Sequence, residues 1–516
     1  MTRPHPSATA TAGLAAGQWD VRLWALLCVL AGNMLIDALE VSVAVVALPS
    51  IRTDLGLPLT AVQWTMTGFA AGFGGLMLFG ARVVSLLGRR RVYLAALLAF
   101  AAASLLSALA QEPWLLVATR LVKGFCAALT APTGLAIIST AFPEGPPRSR
   151  ALSVYTLFGA VGFTTGLLLS GWLTPYSWRL TFAFPAPVVL LLFALGLRLI
   201  PDSDHAGPGG TGPTPAHLKP PRRYDVTGAL TFTGALLALV QGVTALPAHG
   251  WTDLRSGGAL LAAAALLTLF VAVERTTPAP LVRFGALRGG PMLRSALGAA
   301  CLNGSYLGLL FVLVHQLQTV AGWSPPRCAL ALAPAAVPLA VTALRSGRLV
   351  ARFGAPRLIA AGAALPFAGY LLLLRESWPL DYPGLLLPTL LLVGAGFVLS
   401  FAALNTQATA RLPAAERGAG SGLYQTAVQI GAVLTPALAA ALVTAATPAH
   451  ATAAQAVAAC RPALVLVAAI GALGLLVGLG GLTRTAVPRR PPAPPTHSTT
   501  GHDHGPDDED LDLRRP

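Results

Sequence analysis

The segment Arg82-Val-Val-Ser-Leu-Leu-Gly-Arg89 recurs in this chain of 516 residues as Arg348-Leu-Val-Ala-Arg-Phe-Gly-Ala355. Both copies follow a long apolar segment, and their arginine and glycine recur at one common offset of 266 residues. Repeats of this kind are typical of transporters built from two related helix bundles, with the substrate site near the middle of the membrane between them. The repeat therefore predicts a duplicated helical membrane protein.

The composition is that of a membrane protein. Hydrophobic residues make up 55% of the chain and charged residues only 11%, against about 25% charged residues in an average soluble protein. A mean hydropathy of +0.68 leaves too few polar side chains to cover a water-exposed surface, which excludes the soluble, fibrous and disordered classes. The five cysteines are scattered through apolar segments, so we interpret them as small hydrophobic residues and expect no disulfide framework.

Fourteen apolar segments are long enough to cross a membrane, because a helix needs about 20 residues to span the ~30 Å hydrocarbon layer. They lie at 23–48, 62–81, 92–111, 114–139, 151–174, 179–199, 226–247, 256–273, 294–320, 328–346, 358–375, 384–409, 418–445 and 462–482. The sequence therefore predicts an all-α polytopic membrane protein with fourteen transmembrane helices arranged as 6 + 2 + 6.

Composition also divides the chain into parts. A polar, Gly/Pro-rich segment separates the sixth and seventh spans, and a tail rich in Pro, His and Asp follows the last span. We predict a cytoplasmic N-terminal tail 1–22, an N-terminal six-helix bundle 23–200, a cytoplasmic linker 201–224, a two-helix insert 225–274, a C-terminal six-helix bundle 275–482 and a disordered cytoplasmic tail 483–516.

The positions of Lys and Arg predict the orientation. If the N-terminus is inside, the inner segments hold 27 of the 35 basic residues, the outer loops hold six, and two lie within a span. Cytoplasmic loops of membrane proteins are enriched in Lys and Arg, so this distribution predicts that both termini are cytoplasmic. Six tryptophans fall at predicted outer boundaries, where such rings settle: Trp64, Trp114, Trp178, Trp251, Trp323 and Trp378.

Four charged residues lie within predicted spans, away from the helix ends: Asp37, Glu40, Arg120 and Lys123. A charge inside a span costs about 2.5–3.5 kcal/mol on insertion scales, so such residues tend to face a partner or a water-filled cavity. Asp37 and Glu40 share one helix face, and Asn33 lies one turn before Asp37. At ~1.5 Å per residue, Glu40 and Arg120 lie at similar depths, roughly 12 Å and 9 Å below the outer surface.

We hypothesise that Asp37 or Glu40 is the protonatable carboxylate and that Arg120 adjusts its proton affinity. The alternative is a static ion pair, either Glu40 with Arg120 or Asp37 with Lys123, that only fixes helix packing. Further polar residues are candidates for lining the substrate cavity or, equally, for packing one helix against another. They are Asn33, Lys123, Asn303, Tyr306, Gln425 and Gln429.

Several motifs resemble those of the major facilitator superfamily, in particular its fourteen-span drug:proton antiporter branch. They are Asp37 to Pro49 in the first span, the loop Ala81 to Arg91, Arg120-Leu-Val-Lys123-Gly124 with Pro132, Gly162 to Gly171 with Trp178-Arg179, Asp225 with Gly228 and Gly250-Trp251, and Ser421 to Gly431. The resemblance covers roughly residues 25–482. Ser85 and Ala351 stand where the family has a loop aspartate, Leu167 replaces a proline of the antiporter motif, and Ser170 replaces a glycine.

The resemblance implies a major facilitator fold that works by alternating access. It assigns a gating loop to Arg82, Gly88 and Arg89, with Arg348 and Gly354 in the second copy. It assigns the antiporter motif of the fifth span to Gly162, Gly166 and Gly171. The replacements in both motifs leave conformational control and the mode of transport open. Substrate identity and the direction of transport also stay open.

The sequence favours proton-coupled efflux of amphipathic drugs or secondary metabolites from a bacterial cell (inner) membrane. The alternative on the same fold is a proton-independent facilitator or an importer of a small solute. No phosphate-binding loop follows the glycine-rich segments, so we expect no cofactor beyond the proton gradient. We also expect no metal, no nucleic-acid partner and no enzymatic activity, and we expect a monomer whose partners are substrate, protons and the lipid bilayer.

Overall fold

The computed structural model describes residues 20–143, 145–201, 225–277, 281, 290–338, 349, 352–410, 412 and 417–485. Every regular element within these residues is helical. The linker 202–224, most of the predicted N-terminal tail and the tail from residue 486 lie outside the described residues. The predicted boundaries of the tails, helix bundles, linker and two-helix insert therefore stay predictions.

Eight helices lie in the described residues up to 201. They are α1 (Val21–Asp54), the short α2 (Leu59–Val62), α3 (Trp64–Leu87), α4 (Arg89–Ala108), α5 (Pro113–Ala141), α6 (Pro146–Leu173), α7 (Trp178–Ala183) and α8 (Pro185–Leu199). Two more helices follow the linker: α9 (Val226–His249) and α10 (Ala259–Thr276), the latter preceded by the π-helical turn Leu254–Gly258.

The remaining helices are α11 (Pro291–Val314) with the π-helical turn His315–Val320, α12 (Pro325–Leu332) with the 3₁₀ turn Ala333–Ala335, α13 (Ala355–Leu373), α14 (Leu387–Thr409) after the π-helical turn Tyr382–Leu386, α15 (Arg417–Ala446), α16 (Ala453–Ala459) and α17 (Arg461–Thr485). Thirteen helical segments in the described part of the chain are long and apolar enough to cross a membrane. The predicted span 328–346 is described only as far as residue 338. The all-α fold with many spans is confirmed.

The two copies of the repeated motif share a backbone conformation. Gly88 ends α3 with φ 88° and ψ 145°, and Gly354 precedes α13 with φ 79° and ψ 146°. These positive φ values place both residues in a region that side chains with a Cβ rarely adopt. The same backbone conformation thus requires glycine at both positions, which explains why the repeat preserves them.

The core is organised differently at the two ends of the bundle. We call the end that carries Arg89 and Arg357 the arginine-rich end, and the other the opposite end. At the opposite end, one apolar cluster combines the second half of α1 and the start of α3 with α11 to α15 and α17. At the arginine-rich end the cores are separate: one cluster belongs to α1, α3, α4, α5, α6 and α8, and another to α11, α13, α14 and α15. The early and late helices are therefore joined mainly at the opposite end.

Glycines permit the closest helix contacts in this arrangement. α6 packs most extensively on α1, where a Cβ on Gly162 would collide with the Leu35 carbonyl and one on Gly166 with Leu39 and Ser42. A Cβ on Gly171, near the end of α6, would meet Ala329 of α12. One helix of the early group thus contacts both α1 and a helix of the late group through small residues.

Candidate functional site

A buried ion cluster lies between α1 and α5. Glu40, Arg120 and Lys123 are each fully buried. Arg120 Nη1 contacts Glu40 Oε2, its Nη2 donates to the main-chain carbonyl of Glu40 at 2.9 Å, and its Nε donates to the carbonyl of Thr65 on α3 at 2.7 Å. Lys123 Nζ forms an ion pair with the other oxygen of Glu40, Oε1. One carboxylate thus holds two cations.

Aromatic rings surround these cations. The Arg120 guanidinium lies 5.0 Å from the ring centre of Phe69 and 5.6 Å from that of Phe182. The Lys123 ammonium lies 5.0 Å from the ring centre of Phe100 and 5.7 Å from that of Phe182. The negative faces of aromatic rings attract cations, so the rings stabilise both charges where water does not reach.

Asp37 has a different environment from Glu40, although it lies less than one turn away on the same helix. Its Oδ2 accepts hydrogen bonds from Asn33 Nδ2 and from Thr130 Oγ1 of α5, both at 3.0 Å. Its Oδ1 has no hydrogen-bond partner among the described residues. Both donors are uncharged, and Lys123 pairs with Glu40 instead. Asp37 is thus a buried acid without a countercharge in contact.

Sequence reasoning identified the four charged residues but missed their neighbours. It compared the depths of Glu40 and Arg120, and the structure places these two side chains in contact. Phe69, Phe100 and Phe182 belong to α3, α4 and α7, and no spacing in the sequence relates them to one another. Thr130 follows Arg120 and Lys123 on α5. Its hydroxyl group is the only feature in the sequence that indicates a possible hydrogen-bond donor.

The residues predicted to line a substrate cavity do not meet at one place. Asn33 and Lys123 lie inside the early helices, where they bind Asp37 and Glu40. Asn303 Nδ2 on α11 donates to the carbonyl of Val428 on α15 at 3.0 Å, which joins two late helices. The α15 glutamines differ in burial: Gln429 is buried against Gly74 of α3, whereas Gln425 is half-buried.

Tyr306 belongs to a row of aromatic rings that crosses from the early to the late helices. Its ring centre lies 5.5 Å from that of Phe163 on α6 and 5.3 Å from that of Phe397 on α14. Phe397 in turn stacks on Phe401 with 5.1 Å between the ring centres. The phenylalanines of this row are half-buried, so the region where the two groups of helices meet carries accessible apolar rings.

The motif residues occupy helix ends and helix contacts. Ser170, which replaces a glycine of the fifth-span motif, donates through Oγ to the carbonyl of Val43 on α1 at 2.8 Å. Asp54, at the end of α1, accepts hydrogen bonds from Trp178 Nε1 at 2.9 Å and from Arg179 Nη1 at 2.6 Å. Arg82 and Arg89 are half-buried at the arginine-rich end. The predicted gating residue Arg348 lies outside the described residues.

Within the described ranges, no group of three or more His, Cys, Asp or Glu side chains is placed to hold a metal ion. The site is instead a set of two acids, two cations and three rings within membrane-spanning helices. Such an arrangement holds charge inside an apolar bundle, and one acid in it is left without a countercharge. These are features of a protein that moves ions or solutes across a membrane.

The family model of the major facilitator superfamily matches residues 30–436 of this sequence. The chain belongs to that superfamily. It is 35% identical over 440 residues to the puromycin resistance protein pur8 of Streptomyces alboniger, with 83% of each chain covered. It is 34% identical over 406 residues to the cephamycin export protein CmcT of Amycolatopsis lactamdurans, which covers 76% of this chain and 79% of that one.

The fold is similar to that of solved major facilitator structures. The peptide transporter POT, solved with sulfate, aligns with a TM-score of 0.64 at 15% identity over 89% of this chain and 94% of its own. At this identity the likeness concerns the fold alone. The family match and the curated relatives make this major facilitator protein a many-span transmembrane transporter of small molecules and not an enzyme, as the sequence predicted.

Proposed function

We propose that this transporter exports amphipathic drugs or secondary metabolites from a bacterial cell in exchange for protons. The arginine-rich end faces the cytoplasm in this proposal, because 27 of 35 basic residues fall on that side. The transporter acts as a monomer in the cell (inner) membrane, with both termini cytoplasmic. Relatives named for antibiotic resistance or antibiotic export support export as the direction of transport.

The environment of Asp37 is the observation that supports proton coupling. Only 3% of its surface is exposed, and its two hydrogen-bond donors are neutral. A buried carboxyl group without a countercharge is expensive when ionised and inexpensive when protonated. A modest change in its surroundings, such as the movement of one helix group against the other, then suffices to load or release a proton.

Glu40 has a structural role in this proposal. Two buried cations contact its carboxylate, and its loss would leave both of them without a countercharge. Its main-chain carbonyl is also held by Arg120. The pair of acids predicted from the sequence therefore divides into Asp37, which exchanges a proton, and Glu40, which holds α1, α3 and α5 together through Arg120.

The aromatic row supports an amphipathic substrate with apolar rings. Phe163, Tyr306 and Phe397 lie where the two groups of helices meet, and rings there favour flat apolar ligands over small polar solutes. In alternating access, the cavity between the two groups of helices opens first to one face of the membrane and then to the other. This cycle would carry such a ligand outward while Asp37 carries the proton inward.

The experiment uses everted membrane vesicles energised to an acidic lumen, a pH-sensitive dye and a panel of amphipathic compounds. We expect the wild-type transporter to alkalinise the lumen when substrate is added, and Asp37→Asn to abolish this response. Glu112→Gln is the matched control, because Glu112 is an exposed carboxylate in the loop between α4 and α5. It should respond like the wild type.

Two results would contradict the proposal. Retained alkalinisation in Asp37→Asn would remove Asp37 from the coupling. Absence of alkalinisation by every compound in the wild type, together with persistent counterflow of radiolabelled substrate, would identify a proton-independent facilitator instead.

A further inference from the structure

The surroundings of Asp37 suggest a route for its proton, and this inference rests on the proposed function. Asp37 contacts Asn33 on its own helix and Thr130 on α5. Tyr93 on α4 and Tyr155 on α6 are buried in the same cluster as Ile36, which directly precedes Asp37. Every one of these residues belongs to the early helices. Asp37 therefore points into the interior of that group rather than toward α11 to α17.

Tyr155 lies next to the residues that bind Asp37. Its hydroxyl donates to the carbonyl of Ala131 at 3.2 Å, and Ala131 directly follows Thr130, whose hydroxyl donates to Asp37. Gly134 leaves room for this phenol, since a Cβ there would lie 3.1 Å from Tyr155 Oη. The Tyr155 hydroxyl is thus held one residue away from the hydrogen bond that Asp37 accepts from α5.

Tyr93 continues this line toward the arginine-rich end. It lies four residues after Arg89, the first residue of α4, which corresponds to ~6 Å along the helix axis. Its side chain is fully buried, in the same cluster as Tyr155. Asp37, Tyr155 and Tyr93 therefore lead from the middle of the early helices to within about one helical turn of their end.

The Tyr93 hydroxyl has no hydrogen-bond partner among the described residues. A buried hydroxyl in that state is unfavourable, and phenylalanine would fill the same space without the cost. Its neighbours form an apolar cluster that includes Ile36, Phe100 and Ile138, so packing alone does not require the oxygen atom. A hydroxyl both donates and accepts hydrogen bonds, as a group that passes protons must.

We propose that Tyr155 and Tyr93 carry the proton from Asp37 to the arginine-rich face, along a route inside the early helices that is separate from the substrate route. The protonated Asp37 carboxyl gives its proton to the oxygen of a neighbouring hydroxyl or water, and that group passes its own O–H proton onward. The last hydroxyl releases a proton to water at the arginine-rich face. The carboxylate is left ionised and each phenol is left neutral, so charge balances. Two further titratable side chains lie nearby on the same helices: Glu40, three residues after Asp37 on α1, and Cys126, four residues before Thr130 on α5.

The test compares Tyr93→Phe and Tyr155→Phe with Tyr370→Phe. Tyr370 is the matched control, because it is also a buried tyrosine but lies on α13 and donates to Ser305 Oγ at 3.0 Å. Purified transporter in proteoliposomes is mixed rapidly with substrate, and proton release is followed with a pH dye in H₂O and in D₂O. Substrate affinity is measured separately without a gradient.

We expect Tyr93→Phe and Tyr155→Phe to slow proton release at least about tenfold, which is below the usual contribution of a positioned proton-transfer group. Substrate affinity should change by less than about twofold, because neither tyrosine lies on the aromatic row, and the solvent isotope effect on release should change. Tyr370→Phe should match the wild type. Because the Tyr93 hydroxyl has no partner to lose, Tyr93→Phe should fold and melt like the wild type.

Each result has a defined meaning. Wild-type release rates in both Tyr93→Phe and Tyr155→Phe, with coupling still abolished in Asp37→Asn, would overturn the route and leave the proposed function intact. A wild-type transporter without substrate-driven proton movement would overturn both. Equal slowing in Tyr370→Phe would show that loss of any buried phenol hydroxyl slows transport, which also overturns the route.

Discussion

Arg120 holds Glu40 at two points, through the carboxylate and through the main-chain carbonyl, which accepts from Nη2 at 2.9 Å. The third guanidinium nitrogen, Nε, donates to the carbonyl of Thr65 at 2.7 Å. One side chain therefore joins α1, α3 and α5 deep inside the bundle. A guanidinium suits this position because its donors are fixed in a plane and it is never deprotonated in proteins.

Glu40→Gln should destabilise the transporter strongly. The variant leaves the buried Arg120 and Lys123 without the carboxylate that neutralises them, and removal of one partner of a buried ion pair costs about 3–5 kcal/mol. We expect a clearly lower melting temperature in detergent. Addition of Lys123→Met should recover part of the loss, because one uncompensated cation is removed. A Glu40→Gln variant as stable as the wild type would contradict the structural role of Glu40.

Phe182→Leu should destabilise the transporter more than Phe311→Leu. Both rings are essentially fully buried, but only Phe182 lies against both Arg120 and Lys123. Each substitution removes similar ring volume, so the difference reports the cation–π contribution, which is about 0.5–2 kcal/mol. Thermal unfolding of the two variants under identical conditions measures it. Equal losses would show that the ring contributes only packing.

Glu376 should make stability depend on pH near neutrality. It lies outside the membrane-spanning segments, in the loop after α13, and burial raises its pKa to about 7, although a hydrogen bond from Gln316 Nε2 at 2.9 Å lowers it. The folded state then binds the proton more tightly than the unfolded state. This contribution to stability is fully present below pH ~4.5 and is lost as pH rises toward 7, by roughly 2–3 kcal/mol.

Glu376→Gln should remove that dependence. Melting temperatures of the variant and the wild type at pH 5 and pH 8 measure it, and we expect the variant to be the more stable of the two at pH 8. Glu112→Gln is again the control, since its exposed carboxyl group should leave the pH dependence unchanged. Parallel pH curves for the wild type and Glu376→Gln would rule out Glu376 as the titrating group.

Gly166→Ala should push α6 away from α1. A Cβ at this position would lie 2.7 Å from the Leu39 carbonyl oxygen and would collide with Ser42 Oγ, and overpacking of this kind costs about 1–3 kcal/mol. Gly480→Ala is the control, because a Cβ there meets no atom within 4 Å, and alanine in an open helical position is favoured over glycine by up to about 1 kcal/mol. Opposite shifts in melting temperature are expected. An increase in melting temperature in both variants would show that helix propensity outweighs the contact.

Much of the fold is determined locally and was predictable. Long apolar segments must become helices in a membrane, because each backbone N–H and C=O group needs a partner there. In the described part of the chain, thirteen such helices lie where the sequence placed them. The repeated glycines were also informative, because a sharp turn requires the positive φ observed at both Gly88 and Gly354.

The sequence by itself determined which residues carry charge inside the membrane, because an apolar segment with an acid or a base is conspicuous. It did not determine their partners. Asp37 and Glu40 are three residues apart and share a helix face, yet Glu40 meets Arg120 and Lys123 while Asp37 accepts hydrogen bonds from Asn33 and Thr130. These contacts depend on how each helix is rotated and tilted against its neighbours. Rotation and tilt follow from side-chain packing across the whole bundle, which residue spacing along a single helix does not encode.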